Sequence, residues 1–139
     1  MEAQALPSES GGGISKYYVL YCRRVEARKN ASTGIGLPGN CCQIEDKIWF
    51  PHGLSGIVIA RNVKIGKNVT IFQHATIAES NKRKQTVICD GVMIGAGAVI
   101  LNNVTIGKGA KIGANAVVTC DIPAGATAVG VPAKILIKS

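Results

Sequence analysis

Apolar residues in this chain recur every sixth position. Ile59, Ile65, Ile71 and Ile77 are six apart, and after an interruption Ile88, Ile94, Ile100, Ile106, Ile112 and Val118 are six apart again. Four residues after each anchor but Ile77 stands a second, small or branched apolar residue, as at Val63, Val69, Ala75, Val92, Ala98 and Val104. A helix needs recurrence near 3.6 and a long strand needs strict alternation, so neither explains the beat. A period of six with two inward residues fits a short strand, a corner and another short strand. Three such units close a triangular coil, and coils stack about 4.8 Å apart with parallel strands on each face. The pattern predicts an all-β parallel β-helix whose prism axis is filled by Ile, Val and Ala.

Two irregularities break the period. Ile77 and Ile88 are eleven apart, five more than a hexad, and the excess around SNKRKQT predicts a loop over 79–86. Phe50 and Ile59 are nine apart, which puts three extra residues around GLS. Regular hexads are committed to packing, so function is expected at these breaks. Ahead of the prism, residues 1–13 read as a mobile segment and 14–30 as a short N-terminal amphipathic α-helix with Ile14, Tyr21 and Val25 on its apolar stripe. The β-helix domain is expected to span 31–139. Val99, Val117 and Ile57 are expected on outward faces, where they favour self-association of so slim a prism.

Composition narrows the function classes. At 139 residues the chain makes one domain, 47% hydrophobic with only six aromatics. A formal charge of +8 suits an anionic partner such as a phosphorylated small molecule, or an inert basic surface. The basic run Asn81–Lys84 carries no interleaved aromatic, so a nucleic-acid stacking platform is not expected. No apolar run approaches the ~20 residues of a membrane span. Five cysteines without CxxC spacing, and no secretory leader pattern, read as a reduced, soluble, cytoplasmic protein.

Candidate chemistry centres on the two histidines. Two cannot make a three-histidine metal site in one chain, and no metal is expected. One coil on from His52, eighteen residues plus the three extra, lies Gln73, with His74 beside it. The spacing therefore gathers His52, Gln73 and His74 into one candidate functional cluster, with Gln73 and His74 as candidate acceptor-binding groups. The alternative, solvated corner residues, stays open. Glu45 and Asp46 read as solvated corners or as groups that orient His52. Cys41 and Cys42 read as packing residues.

The segments FPHGLSGIVI, VICDGVMIGAGAVI, IGKGAKIGANAVV and GVPAK together resemble the hexapeptide-repeat acetyltransferases, specifically the serine acetyltransferase-like and surface-polysaccharide O-acetyltransferase branch, over roughly residues 44–136. The resemblance implies a left-handed coil, against the usual right-handed crossover, a homotrimer, and acetyl-CoA bound between neighbouring prisms. It implies His52 as general base, Ala96 and Ala114 along the pantetheine arm, and Thr119 and Lys134 toward the far end of the cofactor. The branch's aspartate upstream of the histidine falls here near Leu37, and its loop histidine near Gln85. On those departures the acceptor is expected to be a sugar hydroxyl of a surface polysaccharide or its precursor, with serine as the alternative acceptor. A catalytically silent trimeric scaffold is the reading from a different class.

Overall fold

The structure is a computed structural model and describes residues 32–33, 43–78 and 84–136. The expected mobile segment, the 14–30 helix and most of the 79–86 loop lie outside those residues. So do Cys22, Cys41 and Cys42.

Short strands follow one another around a three-sided prism. In chain order they are β1 (Ser32–Thr33), β2 (Gln43–Ile44), β3 (Ile48–Trp49), β4 (Val58–Ile59), β5 (Val63–Ile65), β6 (Val69–Ile71), β7 (Thr76–Ile77) and β8 (Thr86–Ile88). They continue with β9 (Met93–Ile94), β10 (Val99–Ile100), β11 (Thr105–Ile106), β12 (Lys111–Ile112), β13 (Val117–Val118), β14 (Thr127–Val129) and β15 (Lys134–Leu136). From β1 to β13 every third strand stacks on the same face, and β14 and β15 complete the third face, giving sheets ordered β1-β4-β7-β10-β13, β2-β5-β8-β11 and β3-β6-β9-β12-β14-β15. Pairing is parallel and in hexad register, with Ile59 beside Ile77 and Ile77 beside Ile100 on the first face. The parallel β-helix expected from the period is therefore the fold.

The axis is filled as the pattern requires. Ile59, Ile65, Ile71, Ile77, Ile88, Ile94, Ile100 and Ile106 are fully or almost fully buried, as are the smaller partners Val63, Val69, Ala75, Val92 and Ala98. Each buried aliphatic side chain contributes about 1.5–3 kcal/mol relative to exposure, and the column repeats that gain at every coil. The one buried polar residue among those described, Thr86, is satisfied: its Oγ1 accepts the Asn103 N–H at 2.9 Å. Thr86 already belongs to β8, so the looped excess ends before it.

Two details differ from the sequence reading. Trp49 pairs with Thr70 and Val58 with Thr76, while Ser55 O accepts the His74 N–H, so Ser55 is level with Gln73. The three additional residues are thus Pro51–Gly53, which overlap GLS only at Gly53. That shift puts Ile57 level with Ala75 and turns it inward, where it is 0% exposed. At the C-terminal end the chain leaves the parallel coil, as β15 folds back antiparallel on β14, pairing Lys134 with Val129.

Candidate active site

Five of the predicted residues, His52, Gln73, His74, Ala96 and Ala114, share one corner of the prism, where the third sheet hands the chain to the first. The corner turns are tight. Ala98 N–H donates to Gly95 O and Ala116 N–H to Gly113 O, both at 3.2 Å. Coils are tied to each other at the same point, Gly97 N–H to Gln73 O at 3.0 Å and Asn115 N–H to Ala96 O at 2.8 Å. Gln73, Ala96 and Ala114 therefore stand one below another, spaced by the ~4.8 Å coil repeat.

The next residue in each of these turns has positive φ: Gly56 +61°, His74 +58°, Gly97 +68° and Asn115 +56°. A type II turn demands that conformation at its third residue, and Gly or Asn supplies it most readily. His74 is the unusual occupant. Its ring lies against Gly56 of the preceding coil, close enough that a Cβ there would collide with the imidazole. Asn115 lies over Gly97 in the same manner. His74 is thus drawn along the corner toward Gly56.

His52 comes from the inserted residues. Phe50, Pro51, His52 and Gly53 make an additional turn, closed by Gly53 N–H to Phe50 O at 3.0 Å. Proline suits its second position, since its fixed φ matches the turn. The turn projects His52 outward, exposed, toward the coil below, where Nδ1 lies 2.7 Å from Gln73 Oε1. Phe72 meets the imidazole edge-on, with ring centroids 5.6 Å apart and planes at 76°. The contact the spacing anticipated between His52 and Gln73 is present.

Phe72 was not singled out by the sequence reading, yet it walls one side of His52. Its signal was available: glycine follows the anchor at Gly66, Gly95, Gly107 and Gly113, but phenylalanine follows Ile71. Below Phe72 the equivalent positions are Gly95 and Gly113. The corner therefore passes from aromatic side chains to a strip of Gly95, Ala96, Gly113 and Ala114 beneath the histidine, a trough in side-chain size.

The remaining predicted residues are farther out. Lys134 is exposed on β15 next to Val129, whose side chain packs over Gly113 at the lower end of the trough. Thr119 is exposed at the other margin of the first sheet, just past β13. Glu45 does not orient His52: its carboxylate pairs with Lys64 at 3.1 Å on the second sheet. A shallow depression of about 300 Å³ lies on that second sheet, lined by residues such as Glu45, Lys64, Cys89 and Lys108, and contains none of the predicted site residues. Among the described residues no group of three His, Cys, Asp or Glu is placed to hold a metal, and no helix is long and apolar enough to cross a membrane.

At the root of the loop, on a different corner, Lys84 pairs with Asp121 at 3.3 Å. The Asp121 carboxylate also accepts the Thr105 N–H at 2.7 Å. That backbone bond holds its carboxyl below the ordinary value of 3.8; burial opposes it, and Lys84 adds lesser contributions in the same direction as the bond.

Fold, repeat and corner geometry define the class: a hexapeptide-repeat β-helix domain. Residues 85–120 match the family described as bacterial transferase hexapeptide (six repeats). Within that class the likeness is to serine acetyltransferases. The chain is 39% identical to serine acetyltransferase of Staphylococcus xylosus over 125 residues, 87% of this chain and 56% of that protein. Soybean serine acetyltransferase solved with serine superimposes with a TM-score of 0.62 at 43% identity, over 68% of this chain and 40% of that one. A serine acetyltransferase solved with CoA gives a TM-score of 0.61 at 44% identity, over 68% and 39%. The chain spans little more than half the length of that staphylococcal relative.

Proposed function

We propose that this chain is an acetyl-CoA-dependent O-acetyltransferase that acetylates the hydroxyl of serine. The observation that carries the reading is an exposed imidazole, held by Gln73 above a Gly/Ala trough, in a chain whose relatives are serine acetyltransferases. The sugar acceptor expected from the sequence gives way to serine, the alternative acceptor, because one of those relatives is solved with serine. The departures at Leu37 and Gln85 change how the histidine and the acceptor are held, and the chemistry of transfer does not depend on them.

The reaction follows from the corner. His52 Nε2 takes the proton of the acceptor hydroxyl as that oxygen attacks the thioester carbonyl carbon of acetyl-CoA. The tetrahedral intermediate expels the CoA thiolate, breaking the C–S bond, and the thiolate recovers the proton from the imidazolium. Ala96 and Ala114, with Gly95 and Gly113, leave room for the pantetheine arm to lie against backbone. Lys134 meets the phosphates as a point charge. Thr119 contacts the far end of the cofactor, and His74 helps to position the acceptor. Separately, the outward row Val58, Thr76, Val99 and Val117 on the first sheet is uncharged and half-buried, a suitable packing face for a homotrimer.

The test is thiol release from acetyl-CoA by the purified chain with L-serine, against a panel of free sugars and oligosaccharides, with the product identified by mass. O-acetylserine is the expected product. Acetylation of a sugar alone would restore the first expectation, and no turnover with any acceptor would favour the scaffold.

A further inference from the structure

We infer that Gln73 is a positioning residue for His52, fixing which imidazole nitrogen is free to act as base. The inference rests on the acetyl-transfer reading for its effect on rate, and on geometry alone for the tautomer. A neutral imidazole carries its proton on one nitrogen only, and the partner of that nitrogen decides which. Here Nδ1 is 2.7 Å from Gln73 Oε1. A carboxamide oxygen can only accept, so Nδ1 must donate. The proton then resides on Nδ1, and Nε2 is left bare with its lone pair outward. A base at this corner needs that tautomer, and free histidine prefers the other one.

The surroundings explain why a glutamine takes this part. Leu37 carries no acceptor, and the Glu45 carboxylate is committed to Lys64. Gln73 is half-buried and belongs to a corner turn whose carbonyl is bonded to Gly97 of the next coil, so its backbone is fixed. Phe72, the preceding residue, sets the plane of the ring by its edge-on contact. Two adjacent residues on one coil therefore control the two freedoms of the imidazole: Phe72 its tilt, Gln73 its flip and tautomer. An uncharged acceptor orients the ring without placing a second negative charge beside an anionic thiolate leaving group. The spacing that brought Gln73 to this corner had suggested contact with the acceptor. The bond to His52 assigns its amide oxygen elsewhere.

The experiment is two-bond ¹⁵N–¹H NMR on the full chain at pH 8, where a neutral imidazole reports its tautomer directly. The chain has only two histidines, and a His74→Asn sample identifies the His52 signals. The wild type is expected to show Nδ1–H and an unprotonated Nε2. Gln73→Ala should shift His52 toward the Nε2–H form, whereas Gln73→Glu, an acceptor of the same reach, should keep Nδ1–H. A wild-type Nε2–H tautomer, or a tautomer indifferent to Gln73→Ala, would overturn the inference. With an active acceptor, Gln73→Ala should lower kcat at least tenfold at unchanged KM for acetyl-CoA, and Gln73→Glu should recover most of that loss. Full kcat in Gln73→Ala would also overturn it. Should wild type turn over no acceptor at all, the functional reading fails while the NMR result still decides the role of Gln73.

Discussion

Gly95 lies directly over the Ala114 amide. A Cβ built on Gly95 would stand 2.7 Å from Ala114 N and 2.8 Å from both Gly113 C and Ile112 O, all of them backbone atoms. None of these can swing aside as the end of a side chain could, so the coils would have to separate. Gly95→Ala is therefore expected to destabilise the prism by about 1–3 kcal/mol, the usual cost of overpacking. Urea unfolding should show a lower midpoint at unchanged slope. The same variant should weaken acetyl-CoA binding if the trough carries the pantetheine arm.

His52→Ala should cut turnover by roughly 10²–10⁴-fold, the range for loss of a general base. Acetyl-CoA affinity by calorimetry should barely change, and so should the melting temperature, since His52 is exposed on an inserted turn and outside the axial core. His74→Ala should chiefly raise the acceptor KM. Full activity in His52→Ala with loss in His74→Ala would reverse the two roles.

The φ of +58° at His74 predicts a ranking in stability. Asn adopts this conformation with little strain, whereas a β-branched residue pays about 1–2 kcal/mol for it. His74→Val is expected to melt well below His74→Asn, although valine is the better strand former. Equal melting temperatures would mean that the corner relaxes out of the left-handed region.

The carboxyl of Asp121 ionises more readily in the folded chain than in the unfolded one, mainly through the Thr105 N–H and then Lys84. Near its titration the unfolded chain holds more protons, so stability rises with pH there. The contribution is fully present above the ordinary carboxylate value of 3.8 and is lost as pH falls through the lower folded value. Asp121→Asn should be less stable than wild type at neutral pH, and the gap should close below that range. A gap that persisted at low pH would exclude this ionisation as its source.

Lys134 is exposed at the lower end of the trough, where CoA phosphates are expected. Lys134→Glu should weaken acetyl-CoA binding and flatten its dependence on salt, because one phosphate contact becomes a repulsion. Unchanged affinity across a salt series would remove Lys134 from the site.

Periodicity alone dictates the prism. An inward residue at every sixth position and a small one four later have few packing solutions, and burial of Ile65, Ile71, Ile88 and Ile94 follows from that repeat alone. It also located the two breaks, because an offset in a regular period is arithmetic. It brought His52 within a coil of Gln73 for the same reason. Tertiary structure decided what the period does not encode. The inserted residues could lie anywhere between Phe50 and Ile59, and only cross-coil hydrogen bonds placed them at Pro51–Gly53 and turned Ile57 inward. GVPAK carries no periodic signal for folding back, so the antiparallel β15 appears only when Lys134 pairs with Val129. At the corner, side chains choose partners across coils: Gln73 reaches His52, His74 settles over Gly56 and Glu45 goes to Lys64. Those choices depend on distances between residues far apart in the chain, and these exist only once the coils have stacked.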